Sequence, residues 1–236
     1  MRILYHHRTA SKDGQDVHIE EMVAAMRRQG HEVLVVAPDA ARKAAFGHDG
    51  GMVARIKAVL PRAIYEILEL AYSVYAYMRL KKAYDVFRPE VLYERYNLFF
   101  LSGLWLKQRT GIPFLLEINS PLAHERDIHD GLSLKALARW SERVVWRGAR
   151  MTFPVTRVLA QFVRAAGVPE DRIKVVPNGI NRDRFALGMT NTAIRAELGL
   201  EGKTVLGFVG FIREWHRLPH VVDAMAAMKT ASSCTF

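Results

Sequence analysis

The chain has 236 residues, half of them hydrophobic, with a formal net charge of +10 and one cysteine, Cys234. That composition supports a sizeable core and excludes global disorder, an intramolecular disulfide and a cysteine-based metal cluster. The best apolar stretch, 63–80, carries Glu66, Glu69 and Arg79 and falls short of the roughly 20 apolar residues that cross a bilayer. MRILYHHRTA has too short an apolar run for a signal peptide and reads as a buried strand over 2–5. A helix is predicted over 16–29 and a strand over 32–37, where Val33-Leu34-Val35-Val36 suits burial on both faces. Residues 38–53, rich in Ala, Gly and charge, read as a mobile loop. A long helical pattern over 54–84 has a break point at Pro61. There follow strand 91–93, helix 97–109, strand 113–118, helix 133–147, strand 151–154, helix 156–166 and strand 172–176. A short helix over 190–198, strand 204–210 and helix 218–229 complete the pattern. Gly30, Gly111 and Gly167 sit where helix C-terminal caps belong. Strands alternating with helices argue for a parallel sheet covered on both faces.

Residues 173–185, IKVVPNGINRDRF, run a β-branched strand into Pro177-Asn178-Gly179. Asn and Gly tolerate positive φ, so a sharp turn is expected there, with outward-facing amides. A second strand, TVLGFVGF (204–211), follows after a linker. A parallel α/β domain needs several βα units to bury a sheet, and the residues after Lys203 offer about one. The sequence therefore reads as one α/β domain followed by the truncated start of another.

This wording resembles a known family. VVPNGIN-R-D-R-F is similar to the interdomain segment of the retaining, GT-B-fold glycosyltransferases of family 4. Residues 13–37, DGQDVHIEEMVAAMRRQGHEVLVVA, resemble its opening glycine loop, first helix and second strand. Residues 148–168, GARMTFPVTRVLAQFVRAAGV, resemble the strand and helix before the interdomain turn. The resemblance implies a Rossmann-like doubly wound parallel sheet (the GT-B N-terminal domain) with a short stub of a second α/β domain. It implies an acceptor-side domain over 1–185, a linker over 186–202 and a donor-binding start over 203–236. The paired glutamates of the family's second domain, E-x7-E, are absent from this chain.

Ligands of open α/β sheets bind at the carboxyl ends of the strands. Asp13-Gly14 lies in the loop after the first strand, where Gly14 would let backbone approach a phosphate or sugar; a plain turn with a helix cap at Asp16 is the alternative. The family usually shows two adjacent glycines there. No G-x-G-x-x-G fingerprint accompanies it, which disfavours dinucleotide binding. His6, His7 and His18 surround the same loop and suit a polar cleft rim better than a metal site, since no His-x3-His or His-Glu pattern supports one there. Residues 112–126, IPFLLEINSPLAHER, would gather Glu117, Asn119 and Glu125 at the carboxyl edge. Asn119 stands where the family commonly has a histidine contacting the donor sugar, so a sugar-orienting role carries over but a proton-shuttling one does not. Glu125 is the second candidate catalytic group, with an ordinary pair to Arg126 as the alternative. Thr156 keeps the hydroxyl of a family serine that faces the cleft, or simply caps a helix. Asn178 and Gly179 are read either as ligand contacts at the cleft mouth or as a structural turn.

In the second stretch Phe211 follows Gly210 where the family often has arginine, and His216-Arg217 stands in the place of a Lys-Gly pair. Arg213 and His216 are the candidate donor-diphosphate contacts. Lys135, Arg139, Arg143 and Arg147 line one flank of a helix and form a candidate anionic membrane surface. The stretch 54–84, with apolar Ile64, Ile67, Leu68, Ala71, Val74, Tyr75 and Met78, offers the same option. Ordinary packing on the sheet is the alternative for both helices.

The expected function is sugar transfer from a nucleotide sugar to a glycan or lipid-linked acceptor, with no metal or other cofactor and with this chain alone inactive. The location expected is cytoplasmic, with peripheral attachment to the inner face of the plasma membrane. Nucleic acid is not an expected partner, since no zinc-finger spacing, RNP signature or KH-type loop occurs. Two other readings are a non-catalytic Rossmann-like module docking on anionic lipid or a partner, and a nicotinamide-dependent oxidoreductase.

Overall fold

The computed structural model describes residues 1–9, 14–38, 60–181, 192–210, 212 and 216–228. The chain separates into two units, Met1–Gly179 and Ile180–Phe236. Most of the loop expected over 38–53, residues 54–59, Arg213 and Cys234 lie outside the described residues.

The first unit alternates strands and helices. In chain order it holds β1 (Arg2–His6), α1 (Gly14–Arg28), β2 (Glu32–Val36), α2 (Arg62–Phe87), β3 (Val91–Arg95), α3 (Ser102–Thr110) and β4 (Phe114–Ile118). Then come α4 (Leu122–Glu125) with a π-helical turn (Arg126–Asp130), α5 (Lys135–Gly148), β5 (Met151–Pro154) and α6 (Arg157–Ala165). All five strands are parallel, in the order β2-β1-β3-β4-β5. The chain leaves β1 for β2 on one side and later places β3 on the other. That reversal opens a crevice at the carboxyl ends of β1 and β3.

Alternation along each strand builds two cores. Leu4, Leu92, Phe114, Leu116 and Ile118 pack with Leu80 of α2, Leu104 and Leu106 of α3, Trp146 of α5 and Val163 of α6. Ile3, Tyr5, Val91 and Tyr93 pack with Ile19 and Val23 of α1. Each large apolar side chain so buried contributes about 1.5–3 kcal/mol.

Buried polar groups of α2 and α5 fix the loops. Ser73 Oγ donates to the Phe99 carbonyl at 2.8 Å and accepts from the Leu101 N–H at 3.1 Å. Glu66 accepts the N–H groups of Ser133 and Leu134 at 2.8 and 2.6 Å, just ahead of α5. Glu142 of α5 accepts from Tyr96 Oη at 3.0 Å and the Ala123 N–H at 3.2 Å.

Most predicted elements are present, and the differences have local causes. The helix expected from residue 97 starts at Ser102, because the Ser73-held loop before it puts Phe99 at φ 58°. The long helix begins directly after Pro61 and runs on to Phe87. The strand expected over 172–176 is only an extended ribbon beside β5, with Lys174 N–H to the Thr152 carbonyl at 3.0 Å and Val176 N–H to the Pro154 carbonyl at 3.1 Å. Neither Asn178 nor Gly179 has positive φ, so the sharp turn expected there is absent. The glycines expected as caps behave as such: Gly111 follows α3 at φ 74° and Gly167 follows α6 at φ 88°.

The second unit contains α7 (Thr192–Glu197) and α8 (Leu218–Ala227). The strand expected over 204–210 is not formed, and Val209 is fully exposed. A strand exists only when its N–H and C=O groups pair with a neighbour, and none of the described residues pairs with this stretch.

Gly103 of α3 lies against the buried Glu94 carboxyl, and a Cβ at this position would sit 2.7 Å from Glu94 Cδ. In an open helix Gly→Ala stabilises by up to about 1 kcal/mol. Here Gly103→Ala is expected to destabilise by about 1–3 kcal/mol in urea unfolding. Gly179→Ala, where a Cβ meets nothing within 4 Å, is the control. A stabilised Gly103→Ala protein would contradict this close approach.

Candidate functional site

The strand ends at the crevice are polar. Parallel register sets His6 beside Glu94 and Arg95 beside Glu117. Glu117, 3% exposed, is the hub on the α1 side of the sheet. Its Oε1 accepts from Arg95 Nη1 at 2.7 Å and from Asn119 Nδ2 at 2.6 Å, and lies 2.9 Å from His18 Nε2. Its Oε2 accepts from Tyr93 Oη at 2.9 Å. Burial pushes the Glu117 carboxyl up, but the hydrogen bonds of His18 and Asn119 and the Arg95 charge outweigh it and hold the group down at about 2. Burial and the Glu117 charge in turn raise the Tyr93 phenol, so it stays a donor.

On the other face His6 Nδ1 lies 2.6 Å from Glu94 Oε2, both side chains almost fully buried. Burial lifts Glu94 above its ordinary value, with His6 opposing. His7 is also buried and is lowered to about 4, chiefly by burial, with the His6 and Arg95 charges adding. Beyond β1, Arg8 and Arg126 flank Glu69 at 3.6 and 2.8 Å, and the Arg8 guanidinium lies 4.9 Å from the Tyr72 ring centroid.

Two cavities differ in their place on the sheet. One of about 460 Å³, lined by Lys107, Ile112, Arg150, Met151 and Asp171, opens where β4 and β5 begin, at the amino edge. The other, about 280 Å³, is lined by Arg62, Tyr65, Glu66, Arg126 and Asp130. It lies at the start of α2 and in the loop after β4, on the ligand-binding edge.

The structure brings His18, Glu117 and Asn119 together. Gly14 is the first residue of α1, with open space where a Cβ would be. Asp16 is accordingly inside the first turn and not the cap. Thr156 caps α6, its Oγ1 accepting the Leu159 N–H at 3.0 Å. Glu125 is exposed and has no hydrogen bond to Glu117 or Asn119, and Arg126, its expected partner, pairs with Glu69 instead. Asn178 and Gly179 are exposed at the end of the first unit. His216 belongs to the second unit, where its ring centroid is 5.0 Å from that of Phe208. Lys135 and Arg139 pair with Asp127 at 2.5 and 3.2 Å, while Arg143 and Arg147 are exposed. His6 and His7 are buried, not a polar rim, and no three His, Cys, Asp or Glu side chains converge on a metal position among the described residues.

Tyr93, Glu94 and Arg95 were not legible as site residues. Their signal was a Tyr-Glu-Arg-Tyr run at the end of a strand read two residues too short.

Acid titration separates these groups. Glu117 titrates at about 2 when folded against 4.5 ordinarily, so its stabilisation is full above pH 4.5 and is lost as pH falls toward 2. Buried His7 refuses a proton that the unfolded chain takes below 6.5, so stability also falls between pH 6.5 and about 4. Urea midpoints measured across this range should show both losses. Glu117→Gln should remove the lower one, and an unchanged acid limb in that variant would contradict the hub.

The glycosyl transferase 4-like domain family matches residues 13–179. A GDP-mannose-dependent alpha-mannosyltransferase of Mycobacterium tuberculosis (strain CDC 1551 / Oshkosh) is 27% identical over 197 residues, which are 81% of this chain and 50% of that protein. The protein of the same name from Mycolicibacterium smegmatis is 26% identical over 190 residues, 78% of this chain and 49% of that one. The chain thus spans about half the length of the curated relatives it matches. Among solved structures, Anabaena HepE in complex with UDP-glucose aligns with a TM-score of 0.61 at 15% identity, covering 96% of this chain and 57% of that one. Sucrose-phosphate synthase from Thermosynechococcus elongatus aligns with a TM-score of 0.67 at 15% identity, covering 97% and 60%. These two likenesses concern the fold. The family match runs from α1 to the end of the first unit and takes in the whole Glu117 cluster, so this chain belongs to the glycosyl transferase 4-like domain family and has its GT-B-type α/β fold.

Proposed function

We propose that this chain is the acceptor-side part of a retaining glycosyltransferase that moves a sugar from a nucleotide-sugar donor to a hydroxyl of a glycan or lipid-linked acceptor. One observation carries the reading: an ionised, buried Glu117 aims His18 and Asn119 at the carboxyl edge of a sheet of this family. The Asn119 amide nitrogen is engaged by Glu117, which leaves its carbonyl oxygen to accept from a sugar hydroxyl. A neutral amide takes no proton, so Asn119 orients and does not act as a base. Glu125, exposed beyond it, is the remaining carboxylate on this stretch for proton transfer. The smaller cavity, with Tyr65 and Arg126 in its wall, suits the acceptor.

The start of α1 at Gly14 offers backbone N–H groups to donor phosphate. In this reading transfer proceeds without a bound metal, with helix termini stabilising the leaving diphosphate. Residues 1–185 form the acceptor-side domain, 186–202 the linker and 203–236 part of the donor side. GDP-mannose is the first donor to test, because both curated relatives are named for it. Transfer of mannose from that α-linked donor into an α-linkage would retain configuration, in keeping with the retaining chemistry that the family resemblance implies.

Titrating the nitrogen-15-labelled chain with GDP-mannose, UDP-glucose and mannosides should shift amides around 14–18 and 117–120. Asn119→Ala should weaken sugar binding about tenfold, the worth of one hydrogen bond, and lower the melting temperature by the hydrogen bond to Glu117 that it also removes. Shifts confined to the amino-edge cavity, or binding indifferent to Asn119→Ala, would contradict the reading.

A further inference from the structure

Helix α2 is apolar on both sides. Its buried side carries Ala76 and Leu80 into the core, with Glu66 and Ser73 among them holding the neighbouring loops by their backbone. Its outward side carries Ile64, Ile67, Leu68, Val74, Tyr75 and Met78, each 44–57% exposed. Their i, i+3, i+4 spacing makes one apolar line of about 21 Å over four turns. A helix packed on a sheet normally keeps its outward side polar, and a contiguous exposed apolar line of this size marks a contact surface.

Charge identifies what that surface meets. Exposed Lys82 continues the line one turn beyond Met78 and enters no ion pair among the described residues. The acids of the helix are occupied: Glu66 is buried, Glu69 lies between Arg8 and Arg126, and Asp85 pairs with Lys81 at 2.6 Å. The Arg79 guanidinium lies 5.7 Å from the Tyr75 ring centroid, and tyrosine favours the level of lipid headgroups. An apolar line with a cationic border, on a chain of net charge +10, is complementary to an anionic lipid surface. A second copy would set like charges against like. No helix among the described residues is long and apolar enough to cross a membrane, so α2 lies on the surface rather than through it.

We propose that the outward face of α2 is a docking surface for an anionic bilayer, seating Ile67, Leu68 and Met78 at the headgroup boundary while Lys82 meets lipid phosphate. This places docking on α2 and not on α5, where Lys135 and Arg139 already hold Asp127. The smaller cavity, with Glu66 in its wall, lies behind the same helix, so docking holds it one helix diameter, roughly 10 Å, from the lipid. Only this last link rests on the sugar-transfer reading; docking itself does not.

The test is co-sedimentation of the full chain with phosphatidylcholine vesicles, with and without about one-third phosphatidylglycerol. Binding is expected to the anionic vesicles and to weaken as salt rises. The double variant Leu68→Ser/Met78→Ser should lower partitioning about tenfold or more without changing the melting temperature, since both side chains are exposed. Arg143→Glu/Arg147→Glu should leave binding near wild type. The proposal is overturned by absent vesicle binding, by equal binding to neutral vesicles, or by binding that Leu68→Ser/Met78→Ser leaves intact. It is equally overturned if that variant instead dissolves a dimer seen by analytical ultracentrifugation. These outcomes need no nucleotide sugar, so they are read independently of donor recognition.

Discussion

A buried carboxylate that must stay ionised organises this molecule. Glu117 is cut off from water and would cost several kcal/mol if left unpaired. Its four donors come from three places: Tyr93 and Arg95 on β3, His18 on α1, and Asn119 just past β4. Satisfying one charge therefore fixes α1 against the sheet and sets the direction of the first residue beyond β4. The register of β3 on β4 is what places Arg95 beside Glu117. A one-residue slip would turn both groups to opposite faces.

The same device recurs along the carboxyl edge. Glu66 holds the entry to α5, Glu142 holds the entry to α4, and Glu94 is held against His6 in the gap left by Gly103. Loops at this edge carry the candidate site, and loops are ordinarily the least fixed part of an α/β domain. Inward-facing acids give them defined positions. Turning acids inward also removes them from the surface of an already basic chain, which leaves cations such as Lys82 and Arg143 outside. Helix α2 shares in this arrangement, pointing Glu66 and Ser73 inward beside Ala76 and Leu80 while a second apolar line faces out.

The alternation of strands and helices was readable because each strand is a short apolar run bounded by Gly, Pro or a charged residue. Gly111 and Gly167 marked helix ends for a backbone reason, the left-handed conformation each adopts. Glu117, His18 and Asn119 could be placed at one edge because parallel strands end there. The His6–Glu94 pair could not, since 88 residues separate its members and only the β1–β3 register joins them. Residues 172–176 and 204–210 show the limit of apolar periodicity. It reports which side chains favour burial, and pairing depends on which strand is beside them. The exposed line on α2 was visible as a pattern, but its direction was not, because nothing in the spacing says that Glu66 and Ser73 go inward.

The central claim is that Glu117 is a charged hub whose partners define the sugar-facing edge. It is tested most directly by following the Glu117 side-chain carboxyl carbon by carbon-13 NMR during acid titration. The carboxylate should remain ionised down to about pH 2 and lose that resistance when His18 or Asn119 is replaced by alanine. A midpoint near the ordinary 4.5, indifferent to both substitutions, would contradict the account.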